Sequence, residues 1–157
     1  MPKPLWAPWR LEYVEQADES TGCIFCAPDD DLVLCRGAHA FALLNRFPYA
    51  SGHLMVAPQR HVGDYGSLTD DEALEIHRLA VAGLEALAAV YRPQGHNLGW
   101  NLGRIAGAGI VDHVHLHVVP RWAGDTNFMP VLADVRVLPE ALTESARRLR
   151  EAWTSPA

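Results

Sequence analysis

Three short apolar-rich segments, 32–36, 39–46 and 52–58, follow one another early in the chain, broken by "RGAH" and "FPYASG". Runs of that length bounded by Gly, Pro and Ser read as successive antiparallel strands joined by turns. The period then changes. In "TDDEALEIHRLAVAGLEALAAVY", Ile76, Leu79, Ala80, Leu84 and Leu87 recur at helical spacing, which predicts an amphipathic helix. Thr69 and Glu72 form a capping box at its start, with acids in the first turn, and Pro93 ends it. "HNLGWNLG" and "HVHLHVVPR" read as two further strands joined by "RIAGAGIVD". A last amphipathic helix follows Pro139, with Leu142, Ala146, Leu149 and Trp153 on one face. The order β-β-β-α-β-β-α predicts an α+β fold. Residues 1–22, with Trp6 and Trp9 among prolines and the polar "EQADESTG", read as an arm. Residues 23–157 read as a single domain.

Composition narrows the function classes. A chain of 157 residues can bury roughly 68–70% of its unfolded surface in one core. A net charge of −6 argues against coating a nucleic acid, which takes a basic surface. A small anionic ligand is still admissible, because it responds to the local field. No apolar run approaches the roughly 20 residues of a membrane span. The opening "MPKPLWAPWRLEYV" places prolines and charged residues where a signal peptide has its apolar core. The expected compartment is the cytoplasm, with neither membrane nor nucleic acid as partner.

Three cysteines fit a reducing compartment. Cys23 and Cys26 form a C-x-x-C, and Cys35 stands alone, an odd count that makes a poor disulfide framework. The motif is half a metal site or a redox pair. Pro28 and the aspartates after it do not resemble the helix that a redox pair opens. A tetrahedral zinc site needs two further ligands. His61 and His113 are candidates, but spacing alone does not select His61 over His39, His53, His77 or His96. His53 and His77, next to apolar residues, read as structural histidines.

The chemistry concentrates in "DHVHLHVVPRW", residues 112 to 122. If the stretch is a strand, Val114, Leu116 and Val118 point to the core, and His113, His115 and His117 line the other face. Neutral imidazole is a good nucleophile near pH 7, so one of the three is a candidate for covalent catalysis with its neighbours sharing the charge. Just upstream, "GWNLGRIAGAGIVD" offers backbone N–H groups at Gly103, Gly107 and Gly109 and the Asn101 amide, which suit phosphate oxygens. Asn45, at the end of a predicted strand, is placed either to bond a ribose or to form the turn before Pro48.

"HVHLHVV" resembles the H-x-H-x-H-x-x signature of the histidine triad (HIT) nucleotide hydrolases and transferases. Three further segments agree in order: "FALLNRFPYASGHLMVAPQRHV" with the ribose-binding strand pair, "NLGRIAGAG" with the phosphate loop, and "PRWAGDTNF" with the segment after the triad. The similarity covers about residues 5 to 153. "LWAPWRLEYV", the C-x-x-C and the Trp122 segment resemble most closely the bacterial diadenosine tetraphosphate phosphorylase (ATP adenylyltransferase-like) branch. The resemblance implies a HIT-like fold with a five-stranded antiparallel sheet that continues across a two-fold dimer. It makes His115 the nucleophile that attacks an α-phosphorus, His117 its phosphate-contacting neighbour, and His113 the first triad member. Asn45, Asn101, Gly107, Ala108, Gly109 and Trp122 fall on the substrate side, and Gly109 stands where related enzymes often carry a Ser or Gln. Cys23, Cys26, His61 and His113 match the ligands of a structural zinc. The activity implied is cleavage of dinucleoside polyphosphates, diadenosine tetraphosphate foremost, with adenine nucleotides as substrates and inorganic phosphate as the candidate acceptor. Rival readings are a purine nucleoside phosphoramidase and a nucleotide-binding module without chemistry.

Overall fold

A computed structural model describes residues 22–125 and 140–154. The predicted arm, apart from Gly22, and the part of "PRWAGDTNF" beyond Asp125 lie outside the described residues.

The predicted order is the observed one. Strands β1 (Val33–Arg36), β2 (Ala40–Leu44) and β3 (Leu54–Pro58) precede helix α1 (Asp70–Tyr91), strands β4 (Gly95–Trp100) and β5 (Leu116–Arg121), and helix α2 (Leu142–Ala152). The five strands form one antiparallel sheet in the order β1-β2-β3-β5-β4, which leaves β4 at an edge.

Both helices cover the same face. Ala40, Ala42 and Leu44 of β2, Leu54 and Val56 of β3, and Leu116 and Val118 of β5 point at them. They meet Ile76, Leu79, Ala80 and Leu87 of α1 and Ala146 and Leu149 of α2 in one aliphatic cluster. Leu84, predicted in the same stripe, packs at its margin. At Gly83 a Cβ would stand 3.2 Å from Leu54 and 3.3 Å from Trp153. The missing side chain is what lets α1 approach both β3 and the end of α2.

The capping box forms as predicted: the Thr69 side chain accepts from the Glu72 N–H, and the Glu72 carboxylate accepts from the Thr69 N–H. At the other end Arg92 takes a left-handed conformation (φ 49°) in front of Pro93, as helix C-termini commonly do. Arg60 adds a two-point contact to Glu72 at 2.9 and 2.8 Å and donates to the Ser67 carbonyl. The first turn of α1 is thereby tied to the residue just before His61.

β2 and β3 are buried at all five positions each, so the second sheet face is covered too. Phe41, Leu43, Met55 and Ala57 form a smaller cluster there with Val33 and Phe25. The histidine segment corrects one expectation. β5 begins at Leu116, so only His117 lies within a strand; His113 and His115 precede it, His113 in a bend. This segment leaves the sheet because the Val114 N–H donates to the Val62 carbonyl at 2.8 Å. The two histidines still share a side, since His113 and His115 both lie against the Phe25 ring. No helix among the described residues is long and apolar enough to cross a membrane.

Candidate active site

The three histidines are not a surface column. His113 is 0% exposed and His115 5%, because the cluster around Phe25 closes over them. The ring of Phe25 lies 5.2 Å from that of His113 and 4.6 Å from that of His115, centroid to centroid. His115 and His117 meet edge to face at 4.8 Å. Met55 of β3 pairs with His117 on one side and Gly99 of β4 on the other. A Cβ at Gly99 would meet nothing within 4 Å.

The hydrogen bonds fix the tautomers. A carbonyl oxygen only accepts, so the His115 ring must donate from Nδ1 to the His113 carbonyl at 2.8 Å. Burial lowers the pKa of His115, with the backbone bond opposing in part, and the ring stays neutral near pH 7. A neutral ring with its proton on Nδ1 carries its lone pair on Nε2, the form a nucleophile requires. His53 accepts from the Tyr49 N–H at Nδ1 (3.0 Å), which puts its own proton on Nε2. That Nε2–H faces His117 Nδ1 at 3.0 Å. His117 therefore accepts at Nδ1 and holds its proton on Nε2. The predicted triad is thus backed by a fourth histidine, fully buried on the turn before β3. His53 is as structural as its apolar neighbours implied, yet it sets the proton position of His117. It stands 64 residues from its partner, and no spacing rule signals that contact.

His113 uses its other nitrogen. Its Nε2–H donates to the Pro58 carbonyl at 2.8 Å, which leaves Nδ1 bare. Nδ1 faces Cys23 Sγ at 3.3 Å and Cys26 Sγ at 3.7 Å, and Cys26 Sγ lies 3.2 Å from His61 Nδ1. The ligand atoms of these four residues all lie within 4.8 Å of one another. Around a tetrahedral zinc with ordinary bond lengths, neighbouring S and N ligands stand about 3.6 Å apart, so the donor set fits that ion. Partial desolvation, then the neighbouring Cys23, push the Cys26 thiol up, and a cation is what allows two adjacent thiolates to coexist. Four protein donors leave no open position, which is the structural rather than the catalytic pattern. The Pro58 bond on the far side of His113 fixes its ring as metal-site carbonyls do.

The other candidate histidines go elsewhere. His39 sits in the β1–β2 turn, whose N–H groups at Ala38, His39 and Ala40 donate to Glu75. His77 lies exposed on α1, and His96 on β4 has a buried Nε2 with no partner among the described residues.

The residues expected on the substrate side are partly engaged already. Asn45 Oδ1 accepts from the Phe47 N–H at 2.9 Å, so the turn geometry is realised. Asn101 donates to the Gly107 carbonyl at 3.3 Å and braces the loop. The Gly107 and Ala108 N–H groups close the turn on Arg104 and Gly103, helped by the left-handed φ of Gly103 and Gly107 (84° and 94°). Among the described residues the Gly109 N–H makes no hydrogen bond. Trp122 follows the far end of β5, roughly 17 Å along the strand from His117. Arg121, at the end of β5, is held by Asp125 and Asn97.

Comparison with known proteins agrees with this geometry. The family model described as HIT domain matches residues 28–124. An AP-4-A phosphorylase of Mycobacterium tuberculosis is 36% identical over 162 residues, covering 95% of this chain and 83% of that one. An adenosine 5'-monophosphoramidase of Schizosaccharomyces pombe is 32% identical over 103 residues, covering 63% of this chain and 74% of that one. Among solved structures, a zinc-bound histidine triad family protein from Mycobacterium smegmatis superposes with a TM-score of 0.64 at 27% identity, over 83% of this chain and 92% of the other. Its alternating histidines, the sheet that carries them and its likeness to these relatives make this chain a member of the HIT family of nucleotide-processing enzymes.

Proposed function

We propose that the chain is a nucleotidyltransferase that cleaves dinucleoside polyphosphates, diadenosine tetraphosphate foremost, at the α-phosphate through a nucleotidyl-His115 intermediate. The observation that carries the reading is the Nδ1–H bond from His115 to the His113 carbonyl, which leaves Nε2 as the attacking lone pair. His115 Nε2 forms a bond to the α-phosphorus as the bond to the bridging oxygen breaks, and ATP leaves with that electron pair. His117, its proton held on Nε2 by the His53 contact, donates to a phosphoryl oxygen and offsets the charge that develops. Asn45 contacts the ribose, and Asn101 with the Gly107–Gly109 loop and Trp122 complete the substrate side. Inorganic phosphate then attacks the adenylyl-His115, releasing ADP and restoring the imidazole. Similarity to the M. tuberculosis AP-4-A phosphorylase supports phosphate as acceptor.

Zinc, when bound by Cys23, Cys26, His61 and His113, acts as a structural clamp between the N-terminal turn and the catalytic segment. A two-fold homodimer is part of the reading: β4 is an edge strand, Leu98 on it is exposed, and Gly95 and Gly99 leave room beside the backbone. Residues 23–157 form one HIT unit behind an arm, and a thiol-ligated metal suits the reducing cytoplasm.

Turnover of diadenosine tetraphosphate with labelled phosphate tests the assignment. Label in ADP, with ATP as co-product, is the expected result. AMP and ATP at the same rate with no label incorporated would make the protein a hydrolase. Release of AMP from adenosine 5'-phosphoramidate, with diadenosine tetraphosphate untouched, would move it to the reaction of the S. pombe relative.

A further inference from the structure

Phe25 stands between the two cysteines of the metal-binding turn and is 2% exposed, while Cys26 beside it is exposed. The Cys23 carbonyl accepts from the N–H groups of Cys26 and Ala27 at 3.1 and 3.2 Å, and this tight turn directs Phe25 inward. Its ring lies against His115 at 4.6 Å and 33°, nearer to face-on than to edge-on. Val33, Phe41, Leu43, Met55 and Ala57 complete its socket. The backbone bond from Nδ1 fixes one atom of the His115 ring and leaves the plane free to pivot about it. A flat surface against the ring removes that freedom.

We infer that Phe25 is a positioning residue for the nucleophile: the metal-binding turn seats its ring against the His115 imidazole and holds Nε2 on the line of attack. The inference rests on His115 being the nucleophile. It also gives the metal a route to catalysis. A ligand set that closes the turn keeps Phe25 in place, and a misplacement of about 1 Å in a reacting group lowers rate by roughly 100-fold.

The test compares zinc-loaded wild type with Phe25→Leu, which keeps an apolar side chain and most of the volume and loses the flat face. Phe25→Met serves as a second variant should the first fail to fold. Zinc content, steady-state kinetics on diadenosine tetraphosphate with phosphate, and the proton NMR signal of the His115 Nδ1–H are measured, the signal being assigned by its absence in His115→Ala. The expected result is full zinc content, kcat lower by about 10- to 100-fold, KM little changed, and an Nδ1–H signal broadened by exchange with water. A raised KM with unchanged kcat would make Phe25 a wall for the substrate and overturn the inference. So would wild-type kcat in a zinc-loaded variant. A sharp Nδ1–H signal in the variant overturns it whatever the rates do. Should the wild type leave diadenosine tetraphosphate intact, the functional reading fails separately, and the NMR signal alone decides the role of Phe25.

Discussion

The two faces of the sheet are built from the same strands by opposite rules. The helix-covered face is filled by Leu, Val, Ile and Ala, and its contacts are interchangeable in kind. The opposite face places His53, His113 and His115 out of water, and there each proton has one assigned atom. Burial of apolar surface is nondirectional, at about 25 cal/mol per Å², so the first face tolerates substitution that keeps volume. Buried imidazoles are directional, and one changed partner moves a proton. The first face thus contributes packing alone, and the second joins the chemistry to a smaller apolar cluster. Substitutions ought to separate the two.

The largest separation is expected at His115. His115→Ala should lower turnover by about 10⁴-fold or more while nucleotide affinity, read by calorimetry, survives. His117→Ala should impair turnover without abolishing it. Wild-type turnover in the His115 variant would remove the nucleophile assignment.

Leu87, fully buried between α1 and the sheet, gives the converse. Leu87→Ala should cost about 2–5 kcal/mol in denaturant unfolding and leave kcat and metal content unchanged below the melting transition. A matching loss of kcat in the folded variant would show that the faces are coupled.

Cys23→Ser tests the link at the head of the histidine segment. A metal bound only by the folded chain stabilises it by about 2.7 kcal/mol at a free concentration of 100 Kd. The variant should lose that increment together with its zinc, read by thermal melting and by metal analysis on one sample. Full metal content would mean that other ligands hold the ion.

The smallest effect belongs to the Arg60–Glu72 contact. Arg60 holds the Glu72 carboxylate at about 2, well below the usual range, against the opposing effect of burial. A depressed folded value means that the contribution is complete above the unfolded value near 4.5 and is lost as pH falls towards 2. Glu72→Gln should therefore lower stability at pH 7 by about 1–3 kcal/mol and flatten the acid limb between those values. An unchanged acid limb would show that the pair contributes nothing.

The element order, the α1 capping box and the alternation of His113, His115 and His117 were legible in the sequence because each is local. The C-x-x-C of Cys23 and Cys26 is local too, and by itself it read as half a metal site or a redox pair. What the sequence left open was non-local. Five histidines competed for the third ligand position, and only the fold brings His61 to Cys26. His53 and Phe25 could not be tied to the triad from spacing, since their contacts span 64 and about 90 residues. The start of β5 was misjudged because the Val114 N–H bonds to Val62 outside the sheet.

The four-residue set that fits a metal also implies an order of events in time. Cys23 and Cys26 leave the ribosome early, yet the His113 that completes their set lies 90 and 87 residues later. A nascent chain emerging at about 5–20 residues per second carries its two thiols for several seconds before that histidine exists. Closing so long a loop has an entropic cost that sheet pairing must offset first. An ion held by this set would therefore be acquired at the end of maturation, and the newly made chain would carry its two thiols open to oxidation and to competing metals during synthesis.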